Sequence, residues 1–279
     1  MIGQMRKALS MLELIFVIVI LGIVASIGAD IIAQTYESYI VQRAQYRATS
    51  KTELALTQIA NRLRYAIPRT VGFRADVNQS FHYITEPNSG NDKVLQWVSY
   101  DGDSFEAIST ANDRLPGWSG FCDISTYNGG TTLSTPGSNM QLTSTIVTNL
   151  GGSIGSARIH FPNGKSYQIS GGGYDYIDLN ASIPTGERIY ERYKLAWSSY
   201  ALVCENSTTD YACGDLFLYY NFTPEANATL GSTKSLLLRG VSNFRFKGSE
   251  GSLRIKICRK ERVGYDNDAI HACKEKVIF

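Results

Sequence analysis

The feature that most constrains this chain is an apolar run near its N-terminus, broken by a single carboxylate. From Leu14 to Ala29, 16 consecutive residues are uncharged, and from Leu9 to Ala29 only Glu13 carries a charge. A helix of that length spans roughly 30 Å, about one hydrocarbon thickness. Arg6 and Lys7 precede the run, a bias that keeps the N-terminus in the cytoplasm and sends the remainder across the membrane. A secretory signal peptide has a shorter apolar region followed by a small-residue cleavage site. Ala25–Ala29 offers small residues, but the run is long and Glu13 is badly placed for that reading. A plain signal anchor fits the length and leaves Glu13 unexplained. A carboxylate at the bilayer centre costs roughly 2–3 kcal/mol, less near the interface, so a charge there points to a function and a partner.

The run does not end in a helix breaker. Asp30 to Ile67 holds neither Gly nor Pro and is rich in Ala, Gln, Glu, Arg and Leu. Apolar residues recur at helical spacing, at Ile32, Tyr36, Tyr39 and Ile40, then at Leu56, Ile59, Leu63 and Ile67. Pro68 stops the pattern. One helix from about Leu9 to Ala66 is predicted, its second half packing one face on a globular domain and showing Arg43, Arg47, Lys51 and Arg62 to water. Sustained heptads are absent, which disfavours a coiled coil.

Beyond Pro68 the texture changes to short β runs. Val94–Tyr100, Arg188–Trp197 and Asp215–Phe222 are strand candidates. The segments "ARIHF" and "SYQIS" flank Pro162-Asn163-Gly164-Lys165, whose Asn-Gly is a hairpin signal. In "SLRIKIC", Leu253, Ile255 and Ile257 alternate with Arg254 and Lys256. Gly117–Gly155 is rich in Gly, Ser, Thr and Asn and is expected to hold long loops. The fold class is therefore α+β, a long N-terminal helix laid on antiparallel sheet. The expected parts are a leader at 1–8, a membrane-spanning helix at 9–29, its amphipathic continuation at 30–67 and a β-rich domain at 68–279.

The chain carries five cysteines and a formal net charge of +2. Both signs of charge are scattered, so nothing suggests a nucleic-acid contact. No CxxC occurs. Cys204 with Cys213, and Cys258 with Cys273, each bracket a turn-rich stretch. They read as hairpin disulfides outside the cytoplasm and as buried thiols inside it. The motifs GxxxxGK[ST], GxSxG and HExxH are all absent, and no catalytic constellation is evident. His82, His160 and His271 lie far apart in sequence and are expected to be structural. Asp101, Asp103 and the Asp266-Asn267-Asp268 segment could supply oxygens to calcium, but the spacing is not that of an EF-hand. No metal site and no cofactor is assigned.

The segment "KALSMLELIFVIVILGIVA" resembles the class III signal of type IV pilins and type II secretion pseudopilins. That pattern is a short basic leader, a small residue, a cut, then an apolar residue, with Glu fifth after the cut. Here the cut falls between Ala8 and Leu9, and Glu13 is fifth. Ala8 departs from the Gly usual in the family. The resemblance implies a prepilin peptidase that cleaves at Ala8–Leu9 on the cytoplasmic face and methylates the new amine of Leu9. It implies that Glu13 pairs with that amine on a neighbouring subunit, so that two buried charges become one pair. It also implies other pilin subunits, an inner-membrane assembly platform and membrane lipid as partners. The protein would be a single-pass protein of the bacterial inner membrane, with its C-terminal domain in the periplasm and then in a fibre.

The stretch "LLLRGVSNFRFKGSEGSLRIKIC" is similar to the closing strands of the larger minor pseudopilins. With a length of 279 residues, it favours a minor subunit that initiates or caps a fibre for secretion, pilus assembly or DNA uptake. The alternative is an anchored periplasmic enzyme or binding protein. A periplasmic domain makes Cys204–Cys213 and Cys258–Cys273 the expected disulfides. Cys122 is left over, and spacing alone does not fix the connectivity. Asp76-Val77-Asn78-Gln79-Ser80 and Glu225-Ala226-Asn227-Ala228-Thr229 each place an acid two residues before Asn-x-Ser/Thr. That is similar to the extended acceptor of bacterial N-glycosylation, but so short a pattern arises by chance, and a plain polar loop is the favoured reading of each stretch.

Overall fold

In the computed structural model, the described residues are 11–88, 90–110, 114–209, 211–249, 251–263 and 269–278. The first element is α1, Met11–Leu63, about 80 Å long. It is followed by β1 (Gly72–Arg74), β2 (His82–Tyr83), β3 (Val94–Ser99), α2 (Gly102–Glu106), β4 (Thr132–Asn139) and α3 (Met140–Asn149). Then come β5 (Arg158–His160), β6 (Ser166–Gly172), β7 (Tyr174–Leu179), β8 (Lys194–Ala196) and β9 (Ser198–Glu205). The chain closes with β10 (Gly214–Phe222), β11 (Lys234–Ser249), β12 (Ser252–Arg262) and β13 (Ala269–Ile278). The fold class is α+β.

Eight strands form one antiparallel sheet in the order β13-β12-β11-β10-β9-β3-β1-β2. Its face carries the C-terminal part of α1. The buried stripe of that helix is Ala44, Ala48, Thr52, Ala55, Leu56, Ile59, Ala60 and Leu63, spaced three and four apart as one helical face requires. The alternation in "SLRIKIC" does what a half-buried strand must: Leu253, Ile255 and Ile257 enter this core while Arg254 and Lys256 face out. The sheet is strongly curved. Phe73 on β1 and Phe246 on β11 lie 6.3 Å apart, ring to ring. Asn88, past β2, donates to the Phe246 carbonyl at 2.6 Å.

A second sheet, β4-β7-β6-β5-β8, encloses its own core around Trp118, Leu133, Met140, Ile159, Ile177 and Leu195. The Asn163-Gly164 turn joins β5 to β6, and Gly164 takes a φ of 88° that favours glycine.

Three expectations need correction. The Arg188–Trp197 strand shrinks to Lys194–Ala196. The residues before it pair with a loop instead of a strand: Glu191 accepts from Cys122 N, Tyr193 N donates to Gly120, and Phe121 bridges Arg192. The loop-rich reading of Gly117–Gly155 misses β4 and α3. The helix α3 starts at an Asn139 cap whose Oδ1 accepts from Leu142 N at 3.2 Å. It buries Met140, Thr143 and Val147, a stripe hidden in a Thr-rich composition. Finally, α1 packs later than its periodicity implies. Its first buried residue is Ala44, while Ile32, Tyr36 and Tyr39 stay exposed, because the sheet extends no further toward the helix N-terminus.

Candidate functional site

The site with the clearest chemistry is the free part of α1. From Met11 to Arg43 the helix has no buried residue, a projection of about 50 Å. Its apolar side chains, from Leu12 through Phe16, Ile20 and Val24 to Ile31, are each more than half exposed. A contiguous apolar surface this large is not left in water. By length and composition α1 can cross a membrane, and it is the one such helix among the described residues. That is compatible with a single-pass anchor. Glu13 lies in the first described turn of α1, where the helix dipole favours an anion. Ala8 and Leu9, the expected cleavage and methylation positions, lie outside the described residues.

Where α1 meets the sheet it is fastened by more than apolar contact. The alanines at 44, 48, 55 and 60 let the helix approach β11, β12 and β13 closely. Thr52 satisfies its buried hydroxyl on the Ala48 carbonyl at 2.7 Å. Arg259 on β12, almost fully buried, donates to the carbonyl of Arg239 on β11 at 3.0 Å and to that of Arg47 on α1 at 3.4 Å. Its charge is met by Glu261. Lys274 on β13 reaches Glu53 on α1 at 3.3 Å. A force on the free helix is thus delivered to the C-terminal hairpin of the sheet.

That hairpin is covalently closed. Cys258 and Cys273 face each other across β12 and β13 and are disulfide-bonded. Cys204 and Cys213 bond at the β9–β10 connection. Cys122 is the free thiol. It is buried and donates to the Tyr190 carbonyl at 3.0 Å. Burial, aided by Glu191 and Asp123, pushes its pKa up to about 11.

Asn78 and Asn227 are both exposed, and the structure brings their loops together through one guanidinium. Arg74 donates from Nη1 to the Gln79 carbonyl at 3.0 Å and from Nη2 to the carbonyls of Asn227 and Ala228 at 3.0 and 2.9 Å. The acids of the two motifs are engaged, Asp76 with Lys93 at 3.3 Å and Glu225 with Arg158 at 2.5 Å. Nothing in the sequence singles out Arg74 or Arg259. Each acts on carbonyls that only the folded chain brings near.

Among the described residues, no group of three His, Cys, Asp or Glu side chains converges on a point that could hold a metal. Asp101 caps α2, its Oδ1 accepting from Ser104 N at 3.1 Å. Asp266, Asn267 and Asp268 lie outside the described residues. The histidines are dispersed: His82 pairs with Glu86, His160 is buried against Pro224, and His271 is exposed on β13. No family model, no curated protein and no solved structure matches this chain.

Proposed function

We propose that this chain is a minor pseudopilin or minor type IV pilin, a structural subunit that initiates or caps a short fibre at the bacterial inner membrane. The observation that carries this reading is the pairing of a bare apolar helix, with Glu13 in its first described turn, and a rigid α+β domain fastened to the other end of the same helix. An anchor alone needs no carboxylate there. A helix that leaves lipid to pack against copies of itself has a use for one, as the partner of a neighbour's free amine. On this reading a prepilin peptidase cuts between Ala8 and Leu9 and methylates Leu9, and lateral packing of the exposed helices drives entry into the fibre. The domain then lies in the periplasm, consistent with two closed disulfides.

The alternative is an anchored periplasmic binding protein or enzyme, which keeps its N-terminal residues. Intact-mass measurement of protein extracted from native membranes separates the two. The pilin reading expects loss of residues 1–8 and a gain of about 14 Da for one N-methyl group. A full-length, unmethylated N-terminus overturns it.

A further inference from the structure

The far end of α1 opens onto a cleft of about 830 Å³, a size typical of ligand sites. It lies between the turn that follows α1, the segment after β2, the tip of the β5–β6 hairpin and the β11–β12 turn. Its apolar lining includes Val71, Ile84 and Leu253, and its basic groups are Arg64, Arg69 and Lys194. No carboxylate lines it among the described residues. Lys194 lies over the Tyr100 ring at 4.6 Å, so Arg64 and Arg69, with no lining carboxylate among the described residues, are the cations open to negative charge.

Two details mark these cations as placed. Arg64 and Arg69 are exposed, and neither guanidinium makes an ion pair or hydrogen bond with a described residue. Arg69 also holds a left-handed backbone, φ 67°, a conformation that costs a non-glycine residue of order 1–3 kcal/mol. That backbone is fixed from both sides. The Thr70 hydroxyl donates to the Ile67 carbonyl at 2.7 Å and accepts from Val98 N at 3.1 Å. The stem of Arg69 runs past Gly164, whose missing side chain would sit 3.8 Å from Arg69 Cδ. The fold therefore spends strain to keep a free guanidinium on the rim of the cleft.

We infer that this cleft binds an acidic peptide segment of a partner protein, its apolar side chains on the Val71–Ile84–Leu253 floor and its carboxylates on Arg64 and Arg69. An arginine fork meets a carboxylate with two parallel hydrogen bonds. Val71, Ile84 and Leu253 suit Leu, Ile or Val, and Tyr83 is the one aromatic ring in the lining among the described residues, too few to stack successive nucleobases. The cleft stands at the opposite end of α1 from Glu13, so a partner seated there is approached from the side away from the membrane. The inference does not depend on the fibre reading, because an anchored binding protein would present the same cleft.

The test is fluorescence anisotropy on the full chain in detergent micelles, with a labelled peptide of alternating Glu and Leu and a matched peptide of alternating Lys and Leu. Binding of the Glu peptide alone is expected, weakening as salt rises. Arg64→Glu with Arg69→Glu should weaken it at least tenfold while the melting temperature holds, since both side chains are exposed. Arg64→Gln with Arg69→Gln should give an intermediate loss. Equal binding of the two peptides, or an unchanged affinity in the Glu double variant, overturns the proposal. So does displacement of the peptide by a single-stranded oligonucleotide, or by phosphatidylglycerol vesicles, at a lower concentration than by unlabelled peptide.

Discussion

His160 Nε2 donates to the carbonyl of Pro224 across 3.1 Å, joining β5 of the smaller sheet to the loop that leaves β10 of the larger one. A carbonyl only accepts, so the ring nitrogen must carry the proton. Burial, reinforced by the neighbouring Arg158, lowers the His160 pKa from 6.5 to about 4. The folded chain thus holds a neutral imidazole that the unfolded chain protonates readily. Stability from this group is complete above pH 6.5 and drains away as pH falls toward 4, by about 3 kcal/mol in all. Chemical denaturation across that window should show the loss, and His160→Gln should flatten it while keeping a donor for Pro224. Equal pH slopes in the two proteins would refute the assignment.

The two disulfides and the lone thiol make a second prediction. Native protein should be inert to iodoacetamide at neutral pH, because Cys122 is buried and its pKa is near 11. Unfolding without reductant should release one reactive thiol, and peptide mapping should return Cys204 bridged to Cys213 and Cys258 to Cys273. Cys258→Ser with Cys273→Ser should cost about 2–4 kcal/mol by the loop-closure argument. A peptide carrying Cys122 in a bridge would contradict the arrangement.

Arg74 is expected to control two loops at once. Arg74→Ala removes the donor to Gln79, Asn227 and Ala228 and strands carbonyls that the guanidinium now satisfies. A loss of about 2–3 kcal/mol follows from charge-assisted bonds of this kind. Hydrogen exchange should accelerate together in 76–80 and 225–229 and little elsewhere. Independent behaviour of the two loops would show that the guanidinium does not couple them.

How legible this molecule was depends on the range of each determinant. Local patterns were readable: the apolar run, the stop at Pro68, the Asn163-Gly164 turn and the alternation from Leu253 to Ile257 each report on a few neighbouring residues. The cysteine couples were readable because each closes a short connection between adjacent strands. What escaped was set by tertiary context. The stripe of α3 passes through Thr143, which looks polar until its site is known. The stretch from Arg188 to Tyr193 has strand composition, but its partner is the loop at Gly120–Cys122. Arg74, Arg259 and the cleft cations draw their roles from carbonyls and surfaces distant in sequence. The point at which α1 meets the sheet was also hidden, because Tyr36 and Ala44 both fit one helical period and only the extent of the sheet tells them apart.

The helix–sheet junction should be the mechanical and thermodynamic keystone of the domain. Leu56 and Leu63 are fully buried between α1 and the large sheet. Replacing either with Ala should cost about 2–5 kcal/mol, the usual range for a buried Leu that leaves a cavity. Arg259→Ala should add a local defect by leaving Glu261 without its cation. Thermal melts of the variants read the first effect. Limited proteolysis near Arg47 should read the second, since the Arg259 contact to that backbone is lost. Leu56→Ala with an unchanged melting temperature would mean that α1 is not part of the folding unit.

The sharpest expectation concerns Glu13. On the bare apolar half of α1 it is the one charged residue between Met11 and Ala29. Removing it should make insertion easier, because a carboxylate in lipid is a cost. A plain anchor therefore predicts that Glu13→Ala inserts at least as well and behaves as wild type afterwards. A fibre subunit predicts a split outcome: normal insertion, a processed N-terminus, and poor recovery in sheared or cross-linked fibre fractions. Glu13→Asp should restore part of the defect and Glu13→Gln should not, since the charge and not the hydrogen-bonding capacity is what pairs with a neighbour's amine. Wild-type recovery of Glu13→Ala in fibres would remove the pairing role while leaving the anchor intact. Failure of that variant to insert would place the importance of Glu13 before assembly.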